Sequence, residues 1–304
     1  MFYVATLISH PDRPAVTQAL AERLARHLPH GHVAGWLAPG VATDVEFFGD
    51  AANGASDIWL EKLTGELRAR IGDLPVDIVL QRQRGRRKKL LVADMDSTMI
   101  GQEFIDELAA YAGFKGRVAA ITKRTMEGEL AFAPALRERV ALLKGLPFSM
   151  IDTVIDERVR LTAGGPALVK TMRANCAYTC VVSGGFTAFM ARIAAAIGFD
   201  EYHANTLLVD AGGRLTGEVA EPIVGREAKR DTLIALRERF RLTCDDTLAV
   251  GDGANDIPMI EAAGLGVAFH AKPALRAAAR ARIDHGDLAA LLYAQGYRRE
   301  EFVA

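Results

Sequence analysis

The stretch LLVADMDSTM, from Leu90 to Met99, decides how the chain is read. Leu90 to Ala93 form a short apolar run that suits a buried strand. The run ends on two acids, Asp94 and Asp96, followed by Ser97 and Thr98. Carboxylates at the tip of a buried strand need a cation or a chemical task to offset their desolvation. Two further runs end in a similar way: VVSGG, Val181 to Gly185, and AVGDGAND, Ala249 to Asp256.

Around these tips, helical and extended patterns alternate. PALVKTMRAN, TAFMARIAAAIG, KRDTLIALRERF and DIPMIEAAG have helical spacing, whereas YTCVVSGG, TLAVGDG and GVAFHA read as strands. HANTLLVD and RLTGEVA read as short strands around an Asp-Ala-Gly-Gly turn. Alternating βα units predict a parallel sheet with helices on both faces, a Rossmann-like α/β core. Sites in such sheets lie at the carboxyl ends of the strands. Between Asp96 and about Ala163 the pattern is helical, with candidates QEFIDELAAYAG, VAAITKRTMEGEL and PALRERVALLKGL. This segment is expected to be a helical cap inserted over the acidic edge.

The first 83 residues read differently. FYVATLI, HVAGWLA, TDVEFFG and VDIVLQRQ are strand candidates. Two amphipathic helices lie among them, one with Val16, Leu20, Leu24 and Leu28 on a stripe and one starting after Ser56 as N-cap. The order is βαββαβ, a small α/β sandwich. RQRGRRKK, Arg82 to Lys89, has no interleaved aromatic residues, which disfavours a nucleic-acid patch. It is expected to be a solvated linker carrying positive charge near an anion site.

Composition limits the function classes. The chain has 304 residues, 50% hydrophobic and 25% charged, with net charge -1, so a surface that binds polyanions throughout is disfavoured. Cys176, Cys180 and Cys244 suit small buried core residues in a reducing compartment rather than a disulfide or zinc scaffold. His203, His270 and His285 lack metal-site spacing. The amino terminus does not read as a signal peptide and no run is long enough for a membrane helix, so a cytoplasmic location is expected.

Acids converging from several strand tips point to a hard cation held by oxygen, Mg²⁺ above all. The tip glycines let backbone N–H groups approach an anion, Ser183 adds a hydroxyl, and Lys229 adds a positive charge. Such a site suits phosphoryl transfer, with a carboxylate attacking phosphorus.

In order along the chain, DMDST, SGGF, Lys229 and GDGANDIPM resemble the four motifs of the haloacid dehalogenase superfamily. MEGELAF, Met126 to Phe132, and LRERVALLKGL, Leu136 to Leu146, resemble the cap of its phosphoserine phosphatase family. The resemblance spans about Lys88 to Leu292, with Ala135 where the family often has Ser. It implies Mg²⁺-dependent hydrolysis of O-phospho-L-serine to L-serine and phosphate through an aspartyl-phosphate, the last step of serine biosynthesis. It makes Asp94 the nucleophile and Asp96 the general acid and base. Spacing suits this, since residues two apart leave a strand on the same side.

The resemblance also assigns metal binding to Asp94, Asp252 and the main-chain carbonyl of Asp96. Asp256 and Thr98 support the site; Asp256 alone also suits an N-cap of IPMIEAAG. Ser183, the Gly184 N–H, Lys229 and Asn255 are assigned to the phosphate. Glu103 and Arg139 are assigned to the substrate's ammonium and carboxylate, with Met126 and Phe132 as apolar wall. Helical spacing independently places Arg139 at the edge of the Leu136, Val140, Leu143 stripe, with Arg137 further away.

The expected domains are residues 1–83, resembling ACT-like domains, and 84–304. The latter comprises a core of 88–100 and 164–292 and a cap of about 101–163. The amino-terminal unit is expected either to support a homodimer and amino-acid sensing or to be a structural appendage. The partner is a small-molecule substrate, with no nucleic acid and no membrane. The alternative activities are transfer of the phosphoryl group to another alcohol and hydrolysis of another small phosphorylated metabolite.

Overall fold

A computed structural model describes residues 1–49, 57–126 and 129–303. Ser56, read above as an N-cap, lies outside the described residues. The first unit contains β1 (Phe2–Ile8), α1 (Gln18–Ala25), β2 (His32–Ala38), β3 (Ala42–Phe48), α2 (Asp57–Ile71) and β4 (Asp77–Arg82). Its antiparallel sheet has the order β2-β3-β1-β4, with Ala5 opposite Val45 and Leu80. Thr17 caps α1 by accepting from the Leu20 N–H, and the Val16, Leu20, Leu24, Leu28 stripe is buried against Tyr3, Leu7 and Phe47.

The opposite face of this sheet is covered by the rest of the molecule. Ile8, Ala42 and Val79 join the main core, and Gln81 donates to the Ala294 carbonyl. Covering on both faces explains why FYVATLI is nearly all apolar rather than alternating.

The basic run Arg82 to Lys89 is solvated at Arg82, Arg84, Arg87 and Lys89, as expected, but it does not lie near the acids. It lies at the amino end of the next strand, β5 (Leu90–Ala93), and Asp94 lies at the other end. Arg86 donates to both carboxylate oxygens of Asp44, to Thr6 and to the Tyr293 and Ala294 carbonyls. Arg87 pairs with Glu301 and covers the Tyr297 ring, while Lys88 is buried and donates to the Gly85 and Asp245 carbonyls. Arg86 thereby fastens the first unit to the second.

After β5 come α3 (Phe104–Tyr111), α4 (Lys115–Met126), α5 (Phe132–Ala141) and α6 (Met150–Arg158). The sequence reading did not single out α6, although Ile151, Val154 and Ile155 are buried along one face. The two ends of this helical insertion run side by side through a bridge between Ile100 and Leu161. The chain returns through α7 (Gly165–Ala174), β6 (Tyr178–Phe186), α8 (Thr187–Ile197) and β7 (Glu201–Asn205).

HANTLLVD is two elements, not one strand. Asn205 ends β7, and β8 (Leu207–Val209) pairs with β9 (Leu215–Val219) as a separate hairpin. That hairpin binds the insertion: the Gly145 N–H donates to the Leu215 carbonyl and the Leu215 N–H to the Leu146 carbonyl.

The remaining elements are α9 (Arg226–Arg239), β10 (Thr247–Gly251), α10 (Ile257–Ala262), β11 (Leu265–Phe269), α11 (Pro273–Ala278), β12 (Ala281–Ile283) and α12 (Ala290–Ala294). The six-stranded parallel sheet has the order β12-β11-β10-β5-β6-β7. From β5 the chain moves outward through β6 and β7, then crosses back to β10. The strand order therefore reverses beside β5, where open α/β sheets form their ligand crevice. Leu91, Val181 and Val250 face the core shared with α7, α8 and α12, whereas Val92, Val182 and Ala249 face α9, α10 and α11. Covering on both faces suits the continuous apolar strands.

Of the cysteines, only Cys180 is buried. Cys176 and Cys244 are exposed, contrary to the core reading, and all three are free. No described helix is long and apolar enough to cross a membrane.

Candidate active site

The site forms where β5, β6 and β10 end. Asp94 continues the β5–β10 ladder, its N–H donating to the Val250 carbonyl at 2.9 Å. Its Oδ1 accepts from the Met95 N–H at 2.8 Å and lies 2.6 Å from Lys229 Nζ. The loop beyond reverses through Ser97, a non-glycine residue with φ +56°. Asp96 is therefore outside the strand, and strand alternation does not place it. Its Oδ1 accepts from the Phe104 N–H at 2.9 Å and its Oδ2 from Ser183 Oγ at 2.8 Å. Asp96 thus joins the start of the insertion to the tip of β6. The Phe104 ring stacks on Phe189 at 3.7 Å and 11°, fixing the helix start that supplies this N–H.

The two acids have different electrostatic settings. Burial raises the Asp94 pKa well above the ordinary value, the Asp256 carboxylate raises it further, and Lys229 opposes both. Burial and the Glu103 carboxylate push Asp96 up to about 6, against the hydrogen bonds from Phe104 and Ser183. A carboxyl that titrates close to neutrality can both give and take a proton.

Lys229 comes from the first turn of α9, and its Nζ also lies 2.7 Å from Asp256 Oδ1. Burial alone would lower its pKa, but the Asp256 and Asp94 carboxylates outweigh burial and hold it above the ordinary lysine value. Its neighbours Arg226 and Arg230 instead pair with Glu227 at the surface.

Asp256 is not the side-chain cap of α10. Its Oδ2 accepts from the Asp252 and Gly253 N–H groups at 3.2 and 3.0 Å. A Cβ on Gly251 would come within 2.5 Å of that carboxylate, so the first glycine of GDG makes room for it. Asp94, Asp252 and Asp256 each offer an oxygen, all within 4.8 Å of one another, and all three residues are buried. This oxygen-only donor set fits a hard divalent cation.

The Gly184 position is shaped by the insertion. A Cβ there would lie 2.8 Å from the Phe132 ring, which also packs near Gly225. Ser183 Oγ accepts from the Gly185 N–H at 2.8 Å while donating to Asp96. Asn255 is exposed beside Gly253. Thr98 is fully buried and its Oγ1 makes no hydrogen bond, so it does not hold the loop through one. The Met126 side chain lies outside the described residues.

Glu103 opens α3 half-exposed and accepts from Ser97 Oγ at 3.1 Å. Arg139 is half-buried, its Nε bonded to the Ala135 carbonyl within its own helix. Burial lowers its pKa, opposed by Asp106, Glu103 and Asp96. Arg137 instead pairs with Glu221 on the surface.

Three residues escaped the sequence reading. Asp106 stands one helical turn from Glu103, a spacing that could have drawn attention to it. Asn205, at the tip of β7, donates to the Gly184 and Val224 carbonyls and accepts from the Val224 N–H. It ties the β6 tip to the segment leading into α9, and its only sequence signal is a polar residue at a strand end. Lys272 follows β11, and its Nζ lies 3.0 Å from Asp252 Oδ2. The fourth strand tip was its signal.

Residues 91–261 match the haloacid dehalogenase-like hydrolase family. The chain is 40% identical over 304 residues to the phosphoserine phosphatase of Streptomyces coelicolor, covering 99% of this chain and 72% of that protein. An unliganded structure of a probable phosphoserine phosphatase from Vibrio cholerae aligns with TM-score 0.76 and 30% identity, covering 99% of this chain and 88% of that one. A structure of a phospho-aspartyl intermediate analogue of phosphoserine phosphatase aligns with TM-score 0.63 and 40% identity, covering 68% and 98%.

Proposed function

This chain belongs to the haloacid dehalogenase-like hydrolases, among the phosphoserine phosphatases, and on that premise we propose how its residues divide the hydrolysis of O-phospho-L-serine. The reaction yields L-serine and phosphate, the last step of serine biosynthesis. The observation that carries the division of labour is the contrast between its two acids. Asp94 is buried beside Lys229, whereas Asp96 is held by Ser183 and the start of the insertion.

An Asp94 oxygen attacks phosphorus while the bond from phosphorus to the seryl oxygen breaks. The departing oxygen takes the proton of the Asp96 carboxyl, giving serine and an aspartyl-phosphate. Asp96, now ionised, then takes a proton from water as that water attacks phosphorus. The bond to Asp94 breaks and phosphate leaves with both residues restored. The pKa of about 6 at Asp96 suits both proton transfers.

Lys229 offsets negative charge on Asp94 and on the phosphate. Ser183 and the Gly184 N–H cradle the phosphate together with Asn255. Glu103 receives the substrate's ammonium and Arg139 its carboxylate, while Phe132 and Met126 form the apolar wall. Asp94, Asp252 and the Asp96 main-chain carbonyl hold Mg²⁺, with Asp256 supporting them. When bound, Mg²⁺ supplies positive charge that draws in the phosphate and offsets repulsion among the acids.

The test is phosphate release from O-phospho-L-serine with Mg²⁺ or with EDTA. Asp94→Asn is expected to lower turnover by at least about 10³-fold. Turnover within about tenfold of wild type overturns the assignment. Serine and phosphate should form in equal amounts, and a phosphorylated acceptor without matching phosphate would mean transfer instead.

A further inference from the structure

The fourth strand tip carries a cation that the motifs leave without a task. Lys272 follows β11 and immediately precedes Pro273, the first residue of α11. Its backbone is extended, as the following proline requires, and its N–H donates to the Asp252 carbonyl at 2.8 Å. The main chain is thereby pinned to the GDG loop. From that anchor, Nζ lies 3.0 Å from Asp252 Oδ2 and 3.5 Å from Glu103 Oε1. Asp252 is buried, whereas Glu103 and Lys272 are half-exposed. One side chain therefore joins a carboxylate of the acidic cluster to the residue that opens the helical insertion.

We propose that Lys272 is a positioning residue of the cation site: it occupies Oδ2 of Asp252 and leaves Oδ1 to the metal. The proposal rests on the reading of Asp252 as a metal ligand. Two physical effects oppose each other here, and their signs separate the alternatives. A lysine that only contributed charge would repel Mg²⁺, so its removal would tighten binding. A lysine that orients a buried ligand acts as outer partners of metal ligands do, and its loss weakens binding. Oδ2 of a buried carboxylate needs a partner, and Lys272 supplies one from a pinned backbone.

The experiment titrates MgCl₂ into metal-free protein by calorimetry, without substrate, alongside thermal melts. Lys272→Met is expected to weaken Mg²⁺ binding by about tenfold. Lys272→Arg, which keeps charge and donors, is expected within about threefold of wild type. Unchanged or tighter binding in Lys272→Met overturns the proposal, as does Lys272→Arg binding no better than Lys272→Met. If Lys272→Met does not fold, the arginine variant and Lys272→Gln, expected between the other two, carry the test; Mg²⁺ binding by Lys272→Gln equal to wild type overturns it. Asp252→Asn separates the premise from the proposal. If it binds Mg²⁺ normally, the reading of Asp252 falls; if it loses Mg²⁺ while Lys272→Met does not, only the role of Lys272 falls.

Discussion

Lys229 Nζ lies 2.6 Å from Asp94 Oδ1, and both side chains are almost completely buried. Asp256 flanks the same ammonium at 2.7 Å, so one cation holds together two carboxylates that would otherwise repel. Lys229→Met leaves both acids without that partner. Turnover of phosphoserine is expected to fall about 10²–10³-fold. The metal-free protein should also lose about 3–5 kcal/mol of stability, the usual cost of removing one partner from a buried ion pair. Urea unfolding in EDTA measures the second effect. Near-normal stability there would mean that the acids are not held by this lysine.

The contact between Gly184 and Phe132 makes a different prediction. A methyl at position 184 would meet the far end of the Phe132 ring, 2.8 Å away, and the ring can turn aside. Gly184→Ala should therefore displace the proposed pocket wall without unfolding the protein. KM for phosphoserine is expected to rise about tenfold, with thermal stability changed by about 1 kcal/mol or less. Phe132→Leu in the Gly184→Ala background should recover part of the loss. Kinetics on the three variants checks this, and a loss in the double variant equal to the sum of the two single losses would show that the residues act independently.

The strand tips were legible because Asp94, Ser183 and Asp252 each follow a short apolar run, a local pattern. The parallel core and the βαββαβ unit followed from the same periodicities. What escaped depends on partners far along the chain. Arg86 looks like part of a solvated charge run until Asp44 and the carbonyls of residues 293 and 294 are brought to it. Asn205 and Lys272 are each a single polar residue whose meaning comes from Gly184, Val224 and Asp252. The split of HANTLLVD was hidden because Leu207 is buried while Leu208 and Val209 are exposed on a hairpin, a change that composition does not report. The α6 helix had apolar spacing and Ser149 before it in the sequence, so it was legible and was passed over; in the structure Ser149 makes no side-chain cap bond.

Arg86 and Asp44 allow a direct measure of how the two units are joined. Both side chains are nearly buried, and the shorter of their contacts is 2.7 Å. Arg86→Ala is expected to cost about 2–4 kcal/mol, because the Asp44 charge stays inside with Thr6 still donating to it. Asp44→Asn should cost less, since the amide keeps an acceptor for the guanidinium. A double-mutant cycle by urea unfolding should give a coupling of about 1–3 kcal/mol. Turnover should stay within about twofold of wild type at saturating substrate, because the pair lies at the opposite end of β5 from Asp94. A large loss of turnover with intact stability would place the basic run in the chemistry after all.

Asp246 sets a pH dependence at that same end of the sheet. Its Oδ2 accepts from the Thr243 N–H at 2.8 Å and from Thr243 Oγ1 at 2.7 Å, and its Oδ1 lies 3.0 Å from Lys89 Nζ. The Lys89 N–H also donates to the Asp246 carbonyl at 2.7 Å, so the residue links the starts of β5 and β10. The Thr243 hydroxyl and N–H, helped by Lys89 and opposed by partial burial, hold its pKa down at about 2. A depressed carboxyl pKa means that the folded state prefers the ionised form. Its contribution is fully present above the unfolded pKa of about 4 and is lost as pH falls from there toward 2. Because solvent screens the group, that contribution is about 1 kcal/mol rather than the full value of the shift. Asp246→Asn should thus be about 1 kcal/mol less stable than wild type at pH 7, with the gap closing below pH 4. Urea unfolding of both proteins between pH 7 and pH 3 measures it. A gap that stays constant across that range would mean that the contacts, and not the charge, supply the stability.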